Sequence, residues 1–338
     1  MIYTPAIRRG PFDLADLQQL TAAGALFLCL FALAPAFANN AASYPLAVLA
    51  VLLLVFALPA WPRPALLALP LIIAAMPGEW AMSRHVWMLL IPLAVASLER
   101  LDPWLFDRVL IWAGTGHAVA VLLNHDAAGR GIGYLANANL AAGMLAVLLL
   151  ITLTSRWAST VCWANALLMA AALLMTRSVG GLLAALAGFA ALLPWQLGAA
   201  LLLTMFAGGV IALLIAGRGY WAERLDLWTV AAQVWRDSGG LGAGPGAFAA
   251  AWSNAYPAAY FAHSHAHNLI LQVAAEVGIV GLAALVGLAD WVQKNTWRRG
   301  QVLLIAVFVH GLVDCVLLYP LLLLVVAGAV MQDRLKIN

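Results

Sequence analysis

Long runs of apolar residues, separated by short polar stretches, follow one another along most of the chain. Residues 138–154 and 197–216, for example, contain no charged side chain. A membrane-spanning helix needs roughly 20 mostly apolar residues, or about 17 when it is short. By this rule the sequence predicts about twelve spans, with a range of ten to twelve because the third, fourth and last are short: 17–38, 44–60, 64–77, 85–98, 104–123, 138–154, 159–176, 179–194, 197–216, 267–290, 300–318 and 320–333.

The composition supports the same class of protein. Hydrophobic residues make up 65% of the 338 residues and charged residues 9%, against about 25% charged residues in ordinary soluble domains. A soluble protein this poor in charge would expose large apolar patches and aggregate. We therefore expect an all-α fold, a polytopic transmembrane helical bundle surrounded by membrane lipid, with one domain over residues 1–338. The net charge of +3 is small and scattered, which argues against a nucleic-acid partner.

Lysine and arginine predict the orientation, because cytoplasmic loops of membrane proteins carry an excess of both. With twelve spans and a cytoplasmic N-terminus, the six cations outside are all arginines: Arg84, Arg130, Arg177, Arg218, Arg224 and Arg236. The other eleven fall inside: Arg8, Arg9, Arg63, Arg100, Arg108, Arg156, Lys294, Arg298, Arg299, Arg334 and Lys336. We therefore expect a multi-pass protein with both termini in the cytoplasm.

Residues 217–266 form the only long segment between predicted spans, and we expect an extracytoplasmic loop there. Its first half predicts an amphipathic helix on the membrane surface, with an apolar face made of Trp221, Leu225, Trp228, Ala232 and Trp235. The glycine-rich stretch 239–246 cannot continue that helix. It is not a phosphate-binding P-loop, because no Gly-Lys-Ser/Thr follows, and no strand precedes it as a dinucleotide fingerprint requires.

Arginines on the outer side are candidates for binding phosphate. Arg224 lies in the middle of the predicted apolar face, where an arginine is costly unless it pairs or reaches lipid phosphate. Arg177 lies at the outer end of the seventh span, and Arg218 begins the loop. A guanidinium binds phosphate oxygens in pairs, and a pyrophosphate would need more than one cation. The alternatives are that Arg224 extends to lipid headgroups and that Arg177 is an interface anchor.

His263, His265 and His267 alternate along the chain. In an extended strand all three side chains would point the same way, a pattern that could bind zinc or copper. No cysteine or carboxylate stands near them in the sequence to complete a closed site, so no metal is assigned. They are otherwise polar loop residues, or His267 is a general base or hydrogen-bonding group, which histidine can be near neutral pH.

Other polar residues lie within or at the ends of predicted spans. Glu276 lies inside an apolar run, where a carboxylate should face the bundle interior and have a partner; a structural role is favoured over a catalytic one. His310 and Asp314 are four residues apart, a spacing that puts both on one helix face, where they could hydrogen-bond. Asn137 and Asn139 open the sixth span, and asparagine is a good helix cap.

The segment that follows His267 resembles a known signature. The pattern His267-Asn268-x-x-Leu271-x-x-x-x-Glu276-x-Gly278-x-x-Gly281 is similar to that of the O-antigen ligase and O-antigen polymerase superfamily, which includes pilin-type protein O-oligosaccharyltransferases. Other segments agree in order, so that the resemblance covers roughly 133–320: Gly133 to Asn139, Thr176-Arg177-Ser178, Glu223-Arg224 with Trp228, Gly242-x-Gly244-x-Gly246-x-Phe248, and His310-Gly311-Leu312-Val313-Asp314. One departure is Thr176, where the family usually has serine.

The resemblance implies a GT-C-like membrane glycosyltransferase of the bacterial inner membrane, with its active site and the 217–266 loop on the periplasmic face. Such an enzyme moves a glycan from undecaprenyl pyrophosphate to an acceptor hydroxyl. The acceptor is lipid A-core for O-antigen ligases, which we expect first. It is another lipid-linked repeat for polymerases and a protein hydroxyl for oligosaccharyltransferases. The family implies neither a metal nor another cofactor, because the donor is already activated.

The resemblance also implies roles for particular residues. Arg177 and Arg224 would bind the pyrophosphate and stabilise it as a leaving group, and His267 would align or deprotonate the acceptor hydroxyl. Substrate binding is expected of a larger set around them: Asn137, Asn139, Arg218, Asn268, Glu276 and His310.

Two other classes of function compete with a glycosyltransferase. A lipid or solute transporter would be indicated by an internal inverted repeat, or by broken helices with charges at the midplane. The sequence shows no repeat, and its unusual charges lie on one face. A metal-binding membrane protein would use the three histidines.

Overall fold

A computed structural model describes residues 14–37, 94–98, 100–135, 137–155, 159–257, 263–296, 298–315 and 320–334. The described residues form an all-α fold whose helices are α1 (Leu14–Phe37), α2 (Pro103–Leu123), α3 (Ala138–Thr154), α4 (Thr160–Met175), α5 (Val179–Leu192), α6 (Trp195–Asp237), α7 (Ala247–Ala255), α8 (Leu269–Asn295), α9 (Arg298–Gly311) and α10 (Pro320–Arg334). The spans predicted near 44–60 and 64–77, and most of the one near 85–98, lie outside the described residues.

Side-chain caps explain where several helices begin. Asp102 precedes Pro103 and its Oδ1 accepts the backbone N–H groups of Trp104 and Leu105 at 2.9 and 3.1 Å. Four more helices begin with a side-chain cap of the same kind. The caps are Asn137 for α3, Ser159 for α4, Ser178 for α5 and Asn268 for α8. A cap oxygen satisfies N–H groups that have no partner inside the helix. The predicted starts at 104, 138, 159 and 179 are therefore confirmed to within one residue.

α3 is the central helix, and nearly all of its residues are buried. It packs against α2, α4, α5, α9 and α10. Small residues let these helices approach closely. A Cβ on Gly181 of α5 would lie 2.4 Å from the Cβ of Ala142, and one on Gly188 would lie 2.3 Å from a methyl group of Leu150. The close contact between α3 and α5 therefore depends on glycine at 181, where the backbone of Ala142 is also close, whereas at 188 only the Leu150 side chain would have to move.

A buried ion pair fixes one end of the bundle. Arg299, at the start of α9, donates to both carboxylate oxygens of Asp107 in α2 at 2.7 and 2.9 Å, and to the carbonyl of Thr154 at 3.1 Å. Asp333 of α10 accepts the backbone N–H of Gly300 at 3.0 Å. These contacts join four helices at the start of α9. They lie about 20 Å from the C-terminal end of α9, at 1.5 Å per residue.

α6 differs from the prediction in two respects. The predicted span at 197–216 and the amphipathic helix after it form one continuous helix of 43 residues. Its second half buries Leu227, Val230 and Ala231, whereas Leu225, which was predicted on the apolar face, is 52% exposed. The predicted face is therefore wrong at Leu225 and at Ala232, which is also exposed. The buried face is the one that contacts α7 and α8, and those contacts are not visible in local periodicity.

Within the described part of the chain, α2 and α8 are the helices long and apolar enough to cross a membrane. Shorter apolar helical segments of 10–17 residues are α3, α4, α5, Trp195–Met205 and Leu322–Asp333. α8 is kinked at Gly278, whose φ is 72°. α9 ends at Gly311, earlier than the predicted span at 300–318, so Asp314 lies in the turn that follows it.

Candidate functional site

The start of α8 and the turn after α9 lie side by side and form the base of the candidate site. Asn268 joins them, because its Oδ1 accepts the N–H of Leu271 at 3.0 Å and its Nδ2 donates to the carbonyl of Leu312 at 3.0 Å. Gly180, near the start of α5, faces the same turn, since a Cβ there would lie 2.8 Å from a methyl group of Val313. Three helices therefore meet at one place.

His267 and Asp314 form a hydrogen-bonded pair at this junction. The Nδ1 of His267 lies 3.0 Å from Oδ1 of Asp314, and the same oxygen accepts the backbone N–H of Cys315 at 2.7 Å. The predicted hydrogen bond between Asp314 and the His310 side chain is wrong. α9 ends before Asp314, and the carboxylate turns towards His267.

The surroundings set the protonation of this pair, which lies outside the helices. Burial lowers the pKa of His267 below 6.5, and the nearby guanidinium of Arg224 acts in the same direction, against the opposing effect of Asp314. Burial alone would raise the pKa of Asp314, but His267 and His265 hold that pKa well below 3.8. Near neutral pH the carboxylate is therefore ionised and the imidazole neutral. Nδ1–H of His267 donates to Asp314, which leaves a lone pair on Nε2.

The three histidines do not share one direction, contrary to the expectation for an extended strand. His265 lies beside His267, with ring centroids 4.3 Å apart, and its Nε2 is 3.7 Å from Oδ1 of Asp314. His263 turns towards α6, where its Nε2 lies 2.8 Å from a carboxylate oxygen of Glu223. Two histidines therefore converge on a carboxylate that is distant in the sequence.

Arg224 faces the bundle, which is one of the two placements that the sequence left open. It lies on the same face of α6 as the buried Leu227 and Ala231, three and seven residues further on. Its Nη1 donates to the carbonyl of Val313, next to Asp314. A cation is therefore held beside the His267–Asp314 pair. This placement favours a functional role for Arg224 over extension to lipid headgroups.

Backbone strain marks two of the predicted catalytic residues. In the part of the chain that the structure describes, Arg177 and His267 are the non-glycine residues with positive φ, at 52° and 49°. Such a conformation costs of order 1–3 kcal/mol and is concentrated at functional sites. The two residues were selected from the sequence for other reasons, so the strain is independent support for their roles.

Arg177 lies in the turn between α4 and α5, and its side chain is exposed. Its Nη1 is 3.4 Å from the carbonyl of Ala128, a long contact. The turn is tied down by Arg130, which donates to the carbonyl of Thr176 at 3.3 Å and to Oδ1 of Asn139 at 2.9 Å. Among the described contacts, none joins Arg177 to His267 directly. The two are connected through α5, whose first turn packs against Val313.

The two asparagines of the predicted substrate-binding set help to build the frame of the site. Asn137 caps α3 by accepting the N–H groups of Asn139 and Leu140 at 2.9 and 3.1 Å, and Asn139 accepts from Arg130. The Arg218 side chain lies outside the described part of the structure, although its backbone belongs to α6.

Glu276 holds the glycine-rich segment against the kink of α8. Its Oε1 accepts the N–H of Gly246 at 2.8 Å, and its backbone carbonyl accepts the N–H of Gly244 at 3.0 Å. A Cβ on Gly242 would lie 2.5 Å from the backbone nitrogen of Gly278, so the two backbones touch. These contacts support the structural interpretation of Glu276. They also explain the glycines by close approach and positive φ rather than by phosphate binding.

His310 is almost fully buried at the end of α9, with 1% of its surface exposed. Neither of its ring nitrogens has a hydrogen-bond partner among the described residues. A Cβ on Gly180 would lie 3.4 Å from its Nε2, so His310 packs under the start of α5. Buried polar groups without a partner are uncommon, and His310 has the capacity for a further hydrogen bond at this site.

Sequence reasoning missed the partner of His267. Asp314 was paired with His310, four residues earlier, whereas the partner in the structure is His267, 47 residues away. The sequence also indicated no carboxylate near the histidines, whereas Asp314 lies against two of them. Arg130, which fixes the Arg177 turn, gave no signal beyond its position outside.

The chain matches no protein-family model and no curated protein. Its function is therefore argued from the chemistry of the site.

Proposed function

We propose that the chain is a membrane glycosyltransferase that moves a glycan from undecaprenyl pyrophosphate to an acceptor hydroxyl, with lipid A-core as the first candidate acceptor. The observation that carries this proposal is the cluster at the start of α8. His267 is held in a strained conformation, and its Nδ1 is hydrogen-bonded to Asp314 at 3.0 Å. Arg224 donates to the carbonyl of Val313, the residue before Asp314. The resemblance in sequence supports the choice of donor, acceptor and inner-membrane location.

His267 supplies the general base. The acceptor hydroxyl donates its proton to Nε2, and the acceptor oxygen forms a bond to the first carbon of the glycan. Asp314 keeps the proton on Nδ1 and stabilises the imidazolium that results, as a buried carboxylate does in other histidine-based catalysts. The bond between that carbon and the pyrophosphate oxygen breaks, and undecaprenyl pyrophosphate leaves.

Arg224 and Arg177 stabilise the pyrophosphate that leaves. A guanidinium has five N–H donors, so Arg224 can donate to Val313 through one nitrogen and to a phosphate oxygen through another. Arg177 is exposed at the start of α5 and can reach a charged headgroup from that side. Charge that develops on the leaving oxygen is stabilised most by cations already in place.

A larger architecture accompanies this proposal. The bundle spans the bacterial inner membrane about twelve times, with both termini in the cytoplasm and residues 217–266 on the periplasmic side. It is supported by the apolar runs, by the distribution of arginine and lysine, and by the two described helices long enough to cross a membrane.

The variants Arg177→Ala, Arg224→Ala and His267→Ala test the assignment. Each is expected to lose glycan transfer in proteoliposomes that contain the lipid-linked donor, while it still inserts and purifies normally. Arg236→Ala is the matched control, because Arg236 is an exposed arginine on the same helix as Arg224 and is paired with its neighbour Asp237 at 3.9 Å. Full transfer by all three variants would remove the basis for the proposal.

One observation favours a transporter as the second candidate, since α8 is broken at Gly278 beside the buried Glu276. Broken helices with buried charges occur in transporters. Glu276, however, is engaged by the Gly246 backbone. Movement of the lipid-linked donor across a vesicle bilayer by the His267→Ala variant would favour this alternative, and its absence favours transfer.

A further inference from the structure

We propose that His265, His267 and Asp314 bind a divalent transition-metal ion, with zinc as the best fit, and that the bound ion inhibits the transfer reaction. The effect on transfer rests on the proposed function, whereas the binding does not. The site joins two histidines of the loop before α8 to a carboxylate of the turn after α9, and no such combination is visible in the sequence.

The distances suit tetrahedral coordination. One ligand atom from each of the three residues lies within 4.8 Å of the other two. Oδ1 of Asp314 is 3.0 Å from Nδ1 of His267 and 3.7 Å from Nε2 of His265. A zinc ion with bonds of about 2.0–2.1 Å holds its ligand atoms about 3.3 Å apart. Small movements of the two rings are therefore enough to accommodate the ion.

The donor atoms select the kind of ion. Two imidazole nitrogens and one carboxylate oxygen suit zinc, copper, nickel or cobalt better than magnesium or calcium, which prefer oxygen ligands. Three protein ligands leave a fourth position for water or another small ligand. Neighbouring groups that are not ligands hold two of the ligands in place. Ser264 Oγ lies 3.2 Å from Nδ1 of His265, and the Cys315 N–H donates to Asp314 at 2.7 Å. Such supporting contacts strengthen metal sites.

The position of the proton on the His267 ring explains why a bound ion would inhibit glycan transfer. A metal bound to Nδ1 of His267 displaces the proton from that nitrogen, and the neutral ring then carries its proton on Nε2. Nε2 can no longer accept the proton of the acceptor hydroxyl. The ion also takes the Asp314 oxygen that holds the base in place. Arg224, a cation next to the site, opposes binding, so the affinity is expected to be below that of a closed structural zinc site.

The full-length protein, purified and treated with a chelator, can be titrated with Co²⁺ and Zn²⁺. We expect one Co²⁺ per chain, with the visible absorption bands of tetrahedral cobalt, which Zn²⁺ displaces. Asp314→Asn and His265→Ala should each weaken binding about tenfold or more. His263→Ala is the matched control and should bind like the wild type, because Nε2 of His263 pairs with Glu223 and its ring only packs edge-on against His267, with centroids 5.5 Å apart.

Absence of saturable binding, or equal weakening by His263→Ala, would overturn the proposal. His265 is half-buried, and the substitution His265→Ala removes one ligand while the buried carboxylate of Asp314 stays in place. Metal binding can therefore still be tested if Asp314→Asn does not fold. In the transfer assay, Zn²⁺ should inhibit the wild type, and His265→Ala should be less inhibited relative to its own metal-free rate. Binding without any transfer contradicts the proposed function alone; transfer without binding contradicts the metal site alone.

Discussion

Replacing Asp314 with asparagine tests whether the carboxylate acts through His267. In the proposed mechanism Asp314 does not contact substrate. It accepts Nδ1–H of His267 at 3.0 Å and is 5% exposed. Asparagine has nearly the same shape, so the packing of the turn is kept while the negative charge is removed. His267 then loses the group that fixes its tautomer and that stabilises its protonated form.

The size of the effect follows from the bond that is lost. Only the part of this interaction that strengthens when His267 becomes protonated lowers the barrier. A hydrogen bond to a charged group, at about 1.5–3 kcal/mol, sets the scale of that part. Each 1.36 kcal/mol of barrier changes a rate about tenfold. If the barrier rises by roughly that free energy, the maximal rate of transfer falls about 10- to 150-fold. KM for the lipid-linked donor should change little, because the proposed pyrophosphate contacts are made by Arg224 and Arg177.

The assay measures kcat and KM for glycan transfer in proteoliposomes, with a chelator present so that bound metal does not contribute. A kcat for Asp314→Asn equal to that of the wild type would contradict the role assigned to the carboxylate.

Further predictions concern stability and are read as changes in thermal unfolding. Gly278→Ala should destabilise the protein by at least about 1–2 kcal/mol, the cost of a left-handed conformation for alanine, because φ is 72° and a Cβ would lie 2.2 Å from the backbone of the glycine-rich segment. Gly287→Ala, in open space on the same helix, should not. Asp107→Ala leaves the buried charge of Arg299 without its partner and should cost about 3–5 kcal/mol. Asp290→Ala, in an exposed pair, should cost under about 1 kcal/mol. Equal losses in the matched pairs would contradict these assignments.

The helices were predictable because their signals are local. The apolar runs gave the extents of α2 to α5, and the asparagines at 137 and 139 indicated the start of α3. The same holds for the candidates at the site, because a misplaced arginine such as Arg224, or a histidine in a His-Asn motif such as His267, can be recognised from neighbouring residues alone.

The contacts that complete the site depend on tertiary structure. Asp314 meets His267 across 47 residues, and the turn that allows it exists because α9 ends at Gly311. Which face of α6 is buried is decided by α7 and α8, so that the tryptophan pattern gave the wrong face at Leu225. Periodicity reports that a face is apolar, but it does not report which neighbour covers it.

A transfer assay with the purified full-length protein tests directly whether this site moves glycan from the lipid-linked donor. Undecaprenyl pyrophosphate-linked glycan is incubated with lipid A-core in a chelator-containing buffer, and the products are separated by mass. We expect glycan on lipid A-core, free undecaprenyl pyrophosphate, and neither product with His267→Ala. Longer lipid-linked chains instead would identify a polymerase of the same chemistry. Unchanged donor with every acceptor offered, or equal turnover by His267→Ala, would rule out glycan transfer by this site.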